Sequence, residues 1–185
     1  MRCPIPWSPA FAGALEDQAK VTTLKSAFPP SVDAQTRVLI LGSLPGERSL
    51  AANQYYAHPT NAFWWLIGEV IGEPLPALPY AERLARLKAR HIGLWDVIAT
   101  ARRQGSLDGA IRDATHRDLA GLAATLPDLR AIAFNGGEAS RRGRRQLESF
   151  AGYALLDLPS SSAAYAGLSR AGKLEAWREI AGFLA

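Results

Sequence analysis

One stretch of the chain, Gln54 to Trp65, sets two tyrosines, a His-Pro pair and an Asn directly before Phe63, Trp64 and Trp65. An aromatic ring in a loop can stack on a flat ligand such as a nucleobase, and Tyr55 and Tyr56 precede the apolar run rather than lie inside it. Asn61 offers a carboxamide that either caps the first turn of a helix or aims at a water molecule. His58, ahead of Pro59, is either a turn residue or a site residue. Phe63, Trp64 and Trp65, heading an apolar segment, read as core. Just upstream, the apolar run Arg37 to Gly42 (RVLILG) breaks at Gly42-Ser43-Leu44-Pro45-Gly46. A strand that stops so abruptly brings backbone N–H groups to the surface, a common place for a ligand. The turn lacks the GK[ST] of a Walker loop. Its Ser follows the first Gly directly, so it is not a GxSxG elbow either.

Other polar residues fall at similar places. Asp96, in HIGLWDVI, is either a strand-end structural carboxylate or a base. Asn135, in AIAFNGG, carries a second amide. Ser160, Ser161 and Ser162 offer hydroxyls and backbone N–H groups suited to a phosphate, but no adjacent base makes any of them a nucleophile. Arg141, Arg142, Arg144 and Arg145 lie in SRRGRRQLE, where a helix would spread them over much of its circumference, too widely for all to pair with Glu138 and Glu148. They form either a solvated face or a set of phosphate contacts.

These residues need a scaffold, and the hydrophobic pattern supplies one. RVLILG (37 to 42), HIGLWDVI (91 to 98), LRAIAFNGG (129 to 137) and YALLDLPS (153 to 160) are short, nearly continuous apolar runs bounded by turn residues, as strands buried on both faces are. Between them lie helical periods: NAFWWLIGEVIG after Pro59-Thr60, YAERLARLKAR with Leu84 and Leu87 on one face, THRDLAGLAATL with Asp113 or Thr115 as cap, and the closing GKLEAWREIAGFL. Strands alternating with helices predict an α/β fold, a three-layer α/β/α sandwich on a mainly parallel sheet of about four strands. In such a sheet the ligand sits beyond the carboxyl ends of the strands. That rule gathers Gly42 to Gly46, Asp96 to Thr100, Asn135 to Gly137 and Pro159 to Ser162 on one rim. The stretch EPLPALP (73 to 79) reads as a stiff loop. The first 30 residues, ending in Pro29-Pro30, read as an arm, and 31 to 185 as a single domain.

Composition bounds the chemistry. A chain of 185 residues with 48% hydrophobic content is long enough for one domain that buries a full core. A single Cys3 and three histidines far apart offer no disulfide, no HExxH and no Cys-based metal site, so no metal is expected. No apolar run spans a membrane and no export signal opens the chain, which predicts a cytoplasmic, monomeric protein. A formal charge of +4 suits an anionic partner.

Taken together, LILGSLPGERSL, QYYAHPTNAFW, GLWDVI, GSLD, AIAFNGGEA and LPSSSAA, in that order over about 37 to 183, resemble the hypoxanthine-DNA glycosylase branch of the uracil-DNA glycosylase superfamily, often called family 6. The first signature is long and specific; the others are short. The resemblance implies a monofunctional DNA glycosylase that flips a deaminated base out of DNA and hydrolyses its N-glycosidic bond without a cofactor. It places the catalytic amide on Asn61 and the stacking aromatic on Tyr56. Asn135 becomes the second site residue, on the polar edge of the base, with Gly42, Ser43 and Phe63 beside it. Other branches carry Asp or Asn where this chain has Leu44, so that route to an activated water is absent. Ser160, Ser161 and Ser162 would hold phosphates, alongside Arg141 and Arg145. The branch usually runs Pro-Ser-Thr-Ser-Pro-Ala here, whereas this chain reads Pro159-Ser160-Ser161-Ser162-Ala163-Ala164-Tyr165. The second Pro is missing, which makes Tyr165 the candidate wedge that keeps the base extruded. A uracil-preferring enzyme of the same superfamily, an enzyme acting on free nucleosides or nucleotides, and a binding module without catalysis are the competing readings.

Overall fold

The computed structural model describes residues 23–147 and 152–185. Its first half runs β1 (Leu24–Ser26), β2 (Val38–Gly42), α1 (Glu47–Ala52), α2 (Phe63–Ile71), α3 (Tyr80–Ala89), β3 (Ile92–Asp96) and β4 (Ile98–Arg102). Then follow β5 (Arg112–His116), α4 (Leu119–Ala124), β6 (Ala131–Asn135), α5 (Gly137–Leu147), β7 (Ala154–Leu158) and α6 (Arg170–Trp177), with short 3-10 turns at Leu75–Ala77, Asp108–Ala110 and Arg178–Phe183.

A four-stranded parallel sheet in the order β3-β2-β6-β7 forms the centre. β2, β3 and β6 are buried on both faces because they are apolar almost throughout, as the near-continuous runs predict, whereas β7 at the edge exposes Asp157. Alternation divides them: Val38 and Ile40 of β2, with Ala131 and Ala133 of β6, face a core shared with α2, α3 and α6. Leu39, Leu41, Ile132 and Phe134 face the opposite core, under α4 and α5. The three-layer α/β/α sandwich is therefore present.

Three features depart from the sequence reading. HIGLWDVI is two strands: the chain leaves the parallel sheet after Asp96, and β4 joins a second, antiparallel sheet, β1-β4-β5. Residues 24–30, assigned above to an arm, are built into the domain. Leu24–Ser26 pair with Thr100–Arg102, and the Phe28 carbonyl accepts from Trp95 Nε1. Residues 1–22 lie outside the described residues. Finally, α4 is capped by Asp118, whose side chain accepts from Gly121 N–H, and not by Asp113 or Thr115, which belong to β5.

Candidate active site

Parallel strands deliver their carboxyl ends to one edge, and there the loops after β2, β3, β6 and β7 enclose a cleft of about 540 Å³. That is within the usual range for a small-molecule or nucleotide site. Gly42, Ser43, Tyr56, His58, Asn61, Asp96, Asn135, Ser160, Ser161, Ser162 and Tyr165 all line it. Phe63, Arg141 and Arg145 do not.

Tyr55 and Tyr56 both border the cleft but differ in what holds them. Tyr55 is buried and its hydroxyl donates to the Pro29 carbonyl, 3.1 Å away. Tyr56 sits at φ +53°, a left-handed backbone that costs a non-glycine residue about 1 kcal/mol or more. Its neighbours hold it there: Tyr55 N–H donates to Tyr80 Oη, Trp64 Nε1 to the Tyr55 carbonyl, and Ala57 N–H to the buried Ser49 Oγ. The result is a Tyr56 ring on the cleft wall, stacked on Phe63 at 3.7 Å between centroids and 12° between planes. Phe63 is fully buried. It is the ring behind the stacking ring and not itself a wall of the pocket, because the first turn of α2 points it into the core.

Asn61 does two jobs. Its Oδ1 accepts from Phe63 N–H at 3.0 Å, starting α2, while its own N–H donates to the His58 carbonyl and Ala62 N–H donates to the Ser161 carbonyl. Clamped on both sides, the amide keeps one Oδ1 lone pair and its N–H donors for the cleft. His58 Nδ1 accepts from Thr60 N–H and lies 2.9 Å from Thr60 Oγ1, a turn-locking arrangement in an exposed residue.

The floor of the cleft is polar and incompletely bonded. Asp96 is 3% exposed, and its Oδ2 has no hydrogen-bond partner among the described residues; neither has the Tyr56 hydroxyl. Both groups converge on Gly42. A Cβ added there would lie 2.7 Å from Asp96 Oδ1 and 3.1 Å from Tyr56 Oη, so only glycine leaves the space open. Burial pushes the Asp96 carboxyl up to about 7, against a partial pull downward from Arg117 and Arg103. Burial also raises the Tyr56 phenol, as does the charge of Asp96, with the Asn135 side chain opposing.

The sign for stability follows. The folded state holds the Asp96 proton up to about pH 7, whereas an unfolded aspartic acid loses it near 3.8, so this group's stabilisation is complete below pH 4 and is lost as pH rises towards 7. Asp96→Asn is expected to gain thermal stability relative to the parent at about pH 8, and little or none at about pH 3.5, below the unfolded value. An equal difference at both values would remove the buried-carboxyl account.

Asn135 is first a brace. Its Oδ1 accepts from Ser161 N–H and its Nδ2 donates to Ser161 Oγ, both at 2.8 Å, which ties the end of β6 to the serine loop. One amide N–H remains for a ligand. Gly136, at φ +100°, lets the chain turn there with Ser160 packed against it.

The sequence reading missed the residues that fix the turn after β2. Arg103 is fully buried, and its guanidinium donates to the carbonyls of Leu44, Pro45 and Gly105. Lys25, also buried, donates to the Gly105 carbonyl and pairs with Glu47. Ser43 Oγ donates to Asp108 Oδ1 at 2.7 Å. The antiparallel sheet thus serves as a platform under the turn. Only the Arg102-Arg103 pair hinted at this, and nothing local says that Arg103 turns inward.

Ser160 and Ser162 accept backbone N–H bonds from Ser162 and Ala164, leaving their hydroxyl hydrogens to donate. Ser161 is buried in the brace. Beneath the loop, the buried Lys173 donates to the Ser162 carbonyl, and its ammonium lies 5.2 Å from the centre of the exposed Tyr165 ring. Lys173 was not singled out by its sequence context. The arginine cluster does not converge on the cleft. Arg141 and Arg142 pair with Glu138, one turn away on α5, and Arg144 pairs with Asp157 on β7. Arg145 is exposed, has no ion pair among the described residues and does not line the cleft. Among the described residues the Arg or Lys that lines the cleft is instead Arg48 of α1, exposed and in no ion pair there. Among the described residues no three His, Cys, Asp or Glu side chains group to hold a metal ion, and no helix is long and apolar enough to cross a membrane.

Known proteins resemble this chain in sequence and in fold. A protein named hypoxanthine DNA glycosylase from Methanosarcina acetivorans is 44% identical over 141 residues, 76% of this chain and 88% of the relative. One of the same name from Methanosarcina barkeri is 46% identical over 112 residues, 60% of this chain and 71% of the relative. The solution NMR structure of a candidate uracil DNA glycosylase from Methanosarcina acetivorans superposes with a TM-score of 0.76 at 40% identity, covering 85% of this chain and 99% of that one. The family model of the uracil DNA glycosylase superfamily matches residues 29–181, which takes in the cleft, the serine loop and both sheets except β1, and the chain belongs to that superfamily.

Proposed function

We propose that this chain is a monofunctional DNA glycosylase that takes a deaminated base, hypoxanthine in deoxyinosine foremost, out of the DNA stack and hydrolyses its N-glycosidic bond. It works as a cytoplasmic monomer and needs no cofactor. The names of the two Methanosarcina relatives support the substrate class. The observation that carries the reading is the Tyr56 ring on the wall of a cleft of base size, backed by the buried Phe63 ring, with the Asn61 amide lining the same cleft.

Breaking the bond between deoxyribose and base sends the electron pair to the base and leaves positive charge on the sugar, which a water oxygen then meets at C1′. Catalysis must therefore hold that water and stabilise the leaving base. Asn61 positions the water through its free lone pair and amide hydrogens. Tyr56 stacks the base. The orphaned Asp96 and Tyr56 oxygens, with the remaining N–H of Asn135, meet its polar edge. Ser160 and Ser162, above the Lys173 charge, hold a flanking phosphate, Arg48 holds another, and Tyr165 wedges the stack.

Single-turnover cleavage of oligonucleotides bearing hypoxanthine, uracil or xanthine, set beside free deoxyinosine, tests this. Deoxyinosine in DNA is expected to be cleaved best. Uracil release without hypoxanthine release would mean a uracil-preferring enzyme, equal cleavage of the free nucleoside a nucleoside hydrolase, and binding without cleavage a non-catalytic module. Arg48→Ala is expected to lower the slope of log affinity against log salt by about one, as loss of one phosphate contact does. Arg141→Ala, already paired with Glu138, should lower it less. The reverse order would return the phosphate role to α5.

A further inference from the structure

We propose that Leu107 is a second wedge, entering the base stack beside the extruded nucleotide from the end of the cleft opposite Tyr165, so that the duplex is held open from both sides. This rests on the DNA glycosylase reading above and adds a surface to it.

Among the described residues four large apolar side chains are exposed: Leu24, Leu107, Tyr165 and Leu168. Two of them, Leu107 and Tyr165, border the cleft, and Leu107 is the most exposed of the four at 64%. A lone exposed leucine is ordinary. The backbone that carries this one is not. The preceding Gly105 carbonyl receives bonds from two buried cations, Lys25 at 2.8 Å and Arg103 at 3.1 Å. Ser106 Oγ accepts from Glu47 N–H at 2.9 Å, and Asp108 on the other side accepts from Ser43. Ala110 N–H donates to the carbonyl of Leu107 itself. The segment is thus fastened to the turn after β2, while the Leu107 side chain joins none of the three apolar cores. An apolar group presented on a rigid backbone loses little conformational freedom when it binds.

The sheet order places the two rims. Leu107 stands with the turn after β2, and Tyr165 follows β7 at the sheet edge, with β6 between the two strands. A nucleotide flipped into the cleft leaves a hole in the duplex between those rims. Leucine is among the side chains that proteins insert between base steps, where the apolar surface it hides from water offsets part of the lost stacking.

The test uses a duplex deoxyinosine oligonucleotide and its single strand, which has no opposing strand and no hole to fill. Leu107→Ala is expected to lower the ratio of duplex to single-strand single-turnover rates by about tenfold to a hundredfold, the range spanned by burying one leucine. Leu107→Met should restore most of the ratio. A change in thermal midpoint is not expected for so exposed a side chain. Equal loss on both substrates would make Leu107 a pocket contact, and an unchanged ratio would make it a bystander; either overturns the proposal. A 2-aminopurine placed beside an abasic site in the duplex reports unstacking on binding without any cleavage. The parent should raise its fluorescence more than Leu107→Ala does, and equal signals would also overturn the wedge. A parent inactive on both oligonucleotides would count against the glycosylase reading alone, because the fluorescence arm still judges the wedge.

Discussion

Asn61→Ala is expected to lose about two orders of magnitude or more in single-turnover cleavage of deoxyinosine while losing only a cap's worth of stability, about 1 kcal/mol. The two effects are separable because the structure divides the amide. Its Oδ1 already accepts from Phe63 N–H, the first of α2, from one residue before the N-cap Ala62, and the residue also lines the cleft. Asn61→Asp keeps an oxygen acceptor at the positive end of the helix, so the fold should be as stable as the parent's or more so. It also replaces the amide donors by a negative charge beside the DNA phosphates, so the rate should still fall. Two folded variants that cleave at the parental rate would leave Asn61 as a cap and nothing more.

Tyr56→Ala should cost the next largest amount, about 1 to 3 kcal/mol of base stacking, or roughly tenfold to a hundredfold in rate. The ring is half of a stacked pair, so removing it also opens the fully buried Phe63 to the cleft. The variant should therefore lose some thermal stability, and alanine, which also carries a Cβ, keeps the cost of the left-handed backbone. Tyr56→Phe sharpens the measurement. It preserves the stack and removes only the unpartnered hydroxyl, so it should keep most of the affinity for the base while changing the preference between hypoxanthine and other bases. If Tyr56→Ala and the parent have equal rates on deoxyinosine, the ring does not meet the base.

The layer architecture was legible because a strand buried on both faces needs apolar residues at every position, and four such runs separated by helical periods admit few arrangements. The same feature hid the second sheet. HIGLWDVI is nearly continuous in apolar residues, so no turn residue in it marks the point after Asp96 where the chain changes sheets. β1 has three residues and β5 is largely exposed and polar, so neither carries a strand pattern of its own. They exist because β4 offers them an edge.

Local sequence pattern dictates the order of the elements, the edge at which the candidate cleft lies, and the residue types gathered there, Tyr56, Asn61, Asp96, Asn135 and the three serines among them. Those follow from short-range pattern and from the rule that parallel strands end together. Partnership was decided by tertiary structure alone. Phe63 became the backing ring and Asn135 a brace to Ser161. Arg141, Arg142 and Arg144 found carboxylates near them, and Arg103 and Lys25 turned inward to fasten the loop that presents Leu107. Whether a side chain is spent on the fold or left for a ligand depends on which acceptors lie within about 3 Å of it. Contacts across tens of residues of chain set those distances, and no local pattern records them.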